Sequence, residues 1–269
     1  MNLAKKKIVI ITGNSLRHKY IQNIILNSSK FKVSLIIQEI HKKKNKKNHS
    51  SKSKESHFKL RDYYEKVYFK NYSKINLKKG KIISIKPNTI NKNDRILKIL
   101  RNLKPDIILC FGCSVLGSKY LKVFSNKILN IHLGLSPFYR GQATNYWAFV
   151  NNEIQFIGAT FHKIDGGIDT GPIIHQIRPK VYLKDNVHTI GNRVIKDLKK
   201  DLVKILLNFE NLKSFKKKNN KSKYFKSIDF TEKSLNQLHQ NYKDKIISSF
   251  LKRKKLLLNK YPIIINKYL

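Results

Sequence analysis

A doubly wound α/β architecture with a parallel sheet is the fold class predicted for this chain, and three observations carry it. Short β-branched apolar runs recur at KIVIIT (7–12), FKVSLII (31–37) and KPDIILCFG (104–112). Segments whose apolar residues return every three or four positions separate them, which is the rhythm of strands alternating with helices. The run over 104–112 enters on a proline, leaves on a glycine and is apolar between, as a parallel strand covered on both faces is. At 269 residues and 41% hydrophobic, the chain has enough material for one large domain with an appendage.

The first strand ends at Gly13-Asn14, where Ser15 is positioned as an N-cap and Leu16, Tyr20, Ile21 and Ile24 recur at helical spacing. One glycine in that turn falls short of the three-glycine dinucleotide fingerprint, so no nicotinamide cofactor is expected. The turn can offer helix N-terminal amides to an anion, with Arg17 and His18 beside it. After the second strand, the lysine-serine run from His41 to Ser56 has too little apolar surface to order itself and is expected to be a mobile insertion. A Tyr-rich amphipathic helix is predicted over 58–69, a short strand over 82–85 and a helix over 94–103 with Ile96, Leu97, Leu100 and Leu103 on one stripe.

In open α/β sheets ligands bind outside the carboxyl ends of the strands, which makes Gly112 to Gly117 one lip of a crevice. A helical stretch at 120–124 leads into a strand over 127–132, and a single helix is predicted from Asn186 to Leu207. A boundary falls near Phe209, dividing residues 1–209 from a basic linker and C-terminal helical segment, 210–269. Thr231 opens the last helical pattern with Leu235, Leu238, Tyr242, Ile246, Ile247, Phe250 and Leu251. No internal repeat is visible.

The net charge of +41 points toward nucleic acid, because clustered cations neutralise phosphates and release counterions. Of the 57 basic residues, however, only 8 are Arg, and Lys/Asn/Ile enrichment of this kind follows from A/T-rich codon usage alone. Direct nucleic-acid function is therefore not favoured, while acidic small molecules would be drawn in. No run of eighteen apolar residues and no signal-peptide pattern occur, so a cytoplasmic protein without a membrane partner is expected. Cys110 and Cys113 form a lone CxxC that lacks the second pair or spaced histidines of a zinc site; no metal is expected.

Side chains alternate along a strand, so Asn130 and His132 share a face while Leu129 and Ile131 turn to packing. A carboxamide and an imidazole at a strand's carboxyl end can bind a carbonyl oxygen and manage a proton. Ser136 follows but without a nucleophile elbow, which leaves a serine-hydrolase reading weak. His162 and His175 lie in strand-like runs and read as structural.

The pattern N-x-H, then Ser136-Pro137, Tyr139-Arg140-Gly141 and Trp147, then GATFH (158–162) and Asp169-Thr170-Gly171-Pro172-Ile173-Ile174, resembles the folate-dependent formyltransferases. That family includes glycinamide ribonucleotide, methionyl-tRNA and sugar N-formyltransferases, and the motifs cover residues 80–210. The resemblance implies the Rossmann-like formyltransferase fold, with residues 1–209 as its catalytic domain. It also implies transfer of a formyl group from N10-formyltetrahydrofolate to a primary amine. Matched residue by residue, Asn130, His132 and Asp169 correspond to the family's catalytic Asn, His and Asp. The folate would lie against Phe111, Gly112, Ser114, Val115 and Leu116 on one side and Ile164, Asp165, Gly166 and Gly167 on the other. The glycine pair is expected to supply positive φ to that second loop, and Asp165 reads as a turn former.

Departures from the family select the acceptor. The glycine-serine phosphate loop of glycinamide ribonucleotide enzymes is replaced by TGNSLRHKY, and the chain is too short for the full C-terminal barrel of methionyl-tRNA formyltransferases. TGNSLRHKY and YFKSIDFT (224–231) look more like amino-sugar-modifying relatives. The expected acceptor is a small phosphorylated or nucleotide-linked amine, an amino sugar, with methionyl-tRNA or phosphoribosylglycinamide as alternatives. A third reading, of another class, is a Lys-rich nucleic-acid-binding protein on an inactive formyltransferase scaffold.

Overall fold

In a computed structural model, residues 4–40, 51–75, 77, 80–216 and 222–269 are described. The chain runs β1 (Lys6–Gly13), α1 (Leu16–Leu26), β2 (Phe31–Glu39), α2 (Lys52–Phe69), β3 (Lys81–Ile85), α3 (Asp94–Leu103), β4 (Ile107–Phe111), α4 (Ser118–Phe124) and β5 (Ile128–His132). It continues through β6 (Tyr139–Gly141), α5 (Thr144–Val150), β7 (Ala159–Lys163), β8 (Ile173–Ile177), α6 (Val187–Asp197) and α7 (Lys199–Asn208). The last elements are β9 (Lys223–Phe225), α8 (Glu232–Lys243) and α9 (Ile246–Lys260). The main sheet has the order β3-β2-β1-β4-β5-β7-β8, and β6 pairs with β9 apart from it.

The first five strands are parallel, and their order reverses between β1 and β4, so a crevice opens outside Gly13 and Gly112. Beyond β5 the sheet departs from purely parallel in one strand: β7 adds antiparallel to β5, and β8, antiparallel to β7, resumes the direction of the first five. Alternation along β1 sends Ile8 and Ile10 into the core under α1, α2 and α5–α9, and Val9 and Ile11 into a smaller core under α3 and α4. Leu235, Leu238, Ile246, Ile247 and Phe250 from α8 and α9 join the larger core.

Three local expectations change. Ser51 caps α2, its hydroxyl accepting from Lys54 N–H at 3.4 Å, so the lysine-serine run is helical from Lys52; its first part, 41–50, lies outside the described residues. The single helix predicted over 186–207 is two, because Leu198 N–H divides between the carbonyls of Val194 and Ile195 and tightens the last turn of α6. The pattern opened by Thr231 likewise breaks at Lys245, whose left-handed φ of 57° turns the chain between α8 and α9.

The contacts of α2 also fix its direction. Arg17, in the first turn of α1, meets Glu65 through its backbone N–H (3.1 Å) and its guanidinium (3.5 Å), and further along Phe69 packs on Tyr20. The two helices run side by side the same way. The part of α2 before Tyr64 therefore projects past the carboxyl rim of the sheet, by roughly 18 Å at 1.5 Å per residue.

Candidate active site

Asn130 and His132 project from β5 on one face, and a loop returning from β7 brings Asp169 to both. One carboxylate oxygen, Oδ2, accepts from Gly141 N–H at 2.9 Å and faces His132 Nδ1 at 3.3 Å. The other, Oδ1, lies 3.5 Å from Asn130 Nδ2 and 3.5 Å from His162 Nε2. Asp169 itself adopts φ 52°, and its neighbour Gly171 passes so close to β7 that a Cβ there would stand 1.8 Å from the Lys163 carbonyl. This turn is what presents the carboxylate. Positive φ thus falls on Asp169 and not on Gly166 or Gly167, where the sequence placed it; Gly166 faces open space and Gly167 abuts Thr170.

The pair is shielded, with side-chain exposures of 6% for His132 and 12% for Asp169. Burial pushes the Asp169 carboxyl up, but His132, His162 and the Gly141 amide outweigh it and hold the group well below the usual carboxylate range. Asp169 is charged at neutral pH. His132 Nε2 lies 3.0 Å from the Tyr139 carbonyl, so both ring nitrogens face acceptor oxygens and both are satisfied only as donors. Tyr139 is held in turn by stacking on Phe225 and by its hydroxyl, which donates to Glu153.

His162 belongs to this cluster, although the sequence marked it as structural. Its Nδ1 lies 2.8 Å from the Lys163 carbonyl, and its Nε2 lies 2.9 Å from Asn130 Nδ2 and 3.5 Å from Asp169 Oδ1. Asn130 and His162 are cross-strand partners in the antiparallel β5/β7 register. Only that pairing reveals the contact, and no local motif could. His175, by contrast, faces Asp201 at 3.6 Å, away from the cluster.

The two loops expected to hold folate both flank this rim. Phe111 is buried at the end of β4, edge-on to His18, and Gly112 follows with φ 58° beneath the same imidazole. Ser114 is fixed by Glu39, which accepts from its backbone N–H (3.0 Å) and its hydroxyl (2.8 Å). Val115 is exposed while Leu116 is buried, and Leu116 and Ile164 pack into the same smaller core, which brings the loops to one side. Asp165 accepts from Gly167 N–H and the Thr170 hydroxyl and so acts as the turn former. The anion site considered at Arg17 and His18 is filled: Arg17 pairs with Glu65 and His18 accepts from Ser15 N–H.

Residues 5–206 match the family model described as Formyl transferase. The chain is 34% identical over 105 residues to a methionyl-tRNA formyltransferase of Thermodesulfovibrio yellowstonii, covering 38% of this chain and 33% of that protein. The chain is matched over 20% to 58% of the length of such curated relatives. Among solved structures, phosphoribosylglycinamide formyltransferase from Anaplasma phagocytophilum superposes with a TM-score of 0.56 at 16% identity, covering 82% of this chain and 99% of that one. The formyltransferase PseJ from Anoxybacillus kamchatkensis, in complex with UDP-4,6-dideoxy-4-formamido-L-AltNAc and tetrahydrofolate, superposes at 0.50 with 16% identity, covering 86% and 97%. With three quarters of its residues inside the family model and the Asn-His-Asp cluster at the crevice, the chain belongs to the formyl transferase family.

Proposed function

We propose that this protein transfers a formyl group from N10-formyltetrahydrofolate to the amine of a small nucleotide-linked amino sugar. The buried His132–Asp169 pair beside Asn130, at the carboxyl end of β5, is the observation that carries it. The donor set suits a carbonyl that becomes an oxyanion. As the amine nitrogen attacks the formyl carbon, the carbonyl oxygen gains charge, and Asn130 and the imidazolium of His132 supply N–H donors to it in a site sheltered from water. The bond from the formyl carbon to the folate nitrogen then breaks, and the amine proton must pass to that nitrogen. Asp169, charged and within 3.3 Å of His132 Nδ1, is the group that takes and relays it. In the unliganded arrangement these donors are occupied by Asp169, His162 and the Tyr139 carbonyl, so the formyl oxygen replaces protein acceptors when it enters.

The amino-sugar acceptor is supported by TGNSLRHKY in place of a glycine-serine phosphate loop and by the sugar product bound to PseJ. Incubation with N10-formyltetrahydrofolate and a panel of amines tests it, with tetrahydrofolate and formamide formation as readouts. Turnover only with nucleotide amino sugars is expected. Methionyl-tRNA is the second reading, favoured by the names of the relatives and the +41 charge. Formylation of charged initiator tRNA with amino sugars inert would replace the sugar assignment, and formate release without an amine would make the protein a hydrolase.

A further inference from the structure

A cavity of about 340 Å³ lies between α2, α6 and α8, apart from the Asn-His-Asp cluster but at the same end of the sheet. Its α2 wall is the part that projects past the rim, and His57 on that wall has its ring 4.7 Å from the ring of His188 in the first turn of α6. His239 on α8 completes a trio of imidazoles. Ser53 and Ser56 add hydroxyls, while the Tyr64 and Tyr242 hydroxyls are committed to the start of α6, accepting from Asn186 Nδ2 and Val187 N–H. Among the described residues no carboxylate lines the cavity, and no protein group hydrogen-bonds to the three imidazoles.

The lining restricts what can occupy this space. A cationic ligand would find no counter-charge among the residues that line the cavity. An apolar ligand would strand the ring nitrogens of His57 and His188, each costing about 1–3 kcal/mol when buried without a partner. A metal is not matched either, since no group of three or more His, Cys, Asp or Glu among the described residues is placed to hold one. An anion is matched by the imidazoles and by the serine hydroxyls, while Leu60, Val187 and Leu238 line the rest of the space. We propose that this cavity holds the phosphate moiety of the amine acceptor, clamped between His57 and His188. The acceptor's identity rests on the formyl-transfer reading, whereas anion binding in the cavity does not.

Proton uptake follows from the surroundings. Burial, then His188, Arg61 and His239, lower His57 to about 3, and burial and Arg61 lower His188 to about 4. Tyr64 and Tyr242 complete the titratable groups on the walls, and Asp185 stands behind Tyr242 at the start of α6. Both imidazoles are therefore neutral near pH 7, and an entering anion must raise their proton affinity. By linkage, uptake of one proton strengthens binding by about tenfold for each pH unit lowered.

The test is calorimetric titration of the full chain with sulfate, whose charge is constant over the range, and with uridine 5′-monophosphate, at fixed ionic strength between about pH 7.5 and 5.5. Saturable one-to-one binding is expected, tightening by about tenfold per unit for sulfate. The His57→Gln/His188→Gln variant, checked for unchanged circular dichroism, should lose at least about tenfold in affinity and the pH slope. Equal affinity in variant and parent, or uptake without saturation, overturns the proposal, and His57→Gln alone serves if the double variant does not fold. The two readings fail separately. Asp169→Asn should bind uridine monophosphate like the parent, so binding without any transfer sinks only the reaction, and transfer with an unchanged acceptor KM in the histidine variant sinks only the cavity.

Discussion

Asp169 is tied to its place by a backbone conformation and four polar neighbours, and substitutions there separate chemistry from folding. Asp169→Asn keeps the shape, retains an acceptor for Gly141 N–H and removes the charge facing His132. Formyl transfer should fall by roughly 10²–10⁴-fold, the range for a positioned proton-transfer group, with the circular dichroism unchanged. His132→Ala should fall as far, and a variant of either kind with undiminished turnover would remove the cluster from the mechanism. Gly171→Ala acts differently, because its Cβ would meet the Lys163 carbonyl at 1.8 Å. Relieving that clash must shift the turn, at a cost of roughly 1–3 kcal/mol in stability, read as a lowered Tm, together with lost activity as Asp169 moves. Asn130 and His132 are legible as a pair because strand geometry puts alternate residues on one face. The positive φ of Asp169 is not, since glycine-rich composition nearby draws attention to Gly166 and Gly167 instead.

At the scale of elements, the strands of the parallel half are legible because each is a continuous apolar run, and α3 because Ile96, Leu97 and Leu100 form one stripe. The beginning of α2 is hidden by its lysines and serines, whose composition argues for disorder while Ser51 and packing against α6 and α8 impose a helix. β6 and β9, at three residues each, carry no periodicity of their own. The junction of α2 with α6 makes a prediction about acid. His57 and His188 have folded values of about 3 and 4 against an ordinary 6.5, so the unfolded chain binds protons first as pH falls. Their contribution to stability is whole above pH 6.5 and is lost progressively toward pH 4. Asp169, shifted downward, loses its contribution only below the ordinary value of 3.8 and does not act in this window. Thermal melts should show Tm decreasing from pH 7 to 5, with a shallower decrease in His57→Gln/His188→Gln; parallel slopes would remove the two histidines as the cause.

For the whole molecule, 57 basic against 16 acidic residues leaves repulsion as the dominant long-range term, and salt bridges such as Lys119–Asp94 lie exposed. Raising sodium chloride from about 0.05 to 0.5 M, which shortens the screening length several-fold, should raise Tm; a decrease would mean that paired charges outweigh the excess. The three-layer arrangement was legible from the strand-helix rhythm, but the antiparallel edge was not, since the direction of β7 depends on the connections into and out of it and not on the strand itself. That edge has a consequence for how the protein can fail. In the β5/β7 pairing, His162 stands opposite Asn130 and its neighbour Phe161 points the other way, into the larger core. Because faces alternate with a period of two, sliding β7 by a single residue would bury an imidazole in hydrocarbon and aim a phenyl ring at Asp169. A misaligned edge would therefore lose stability and the site together, so molecules that fold to completion carry the histidine in place.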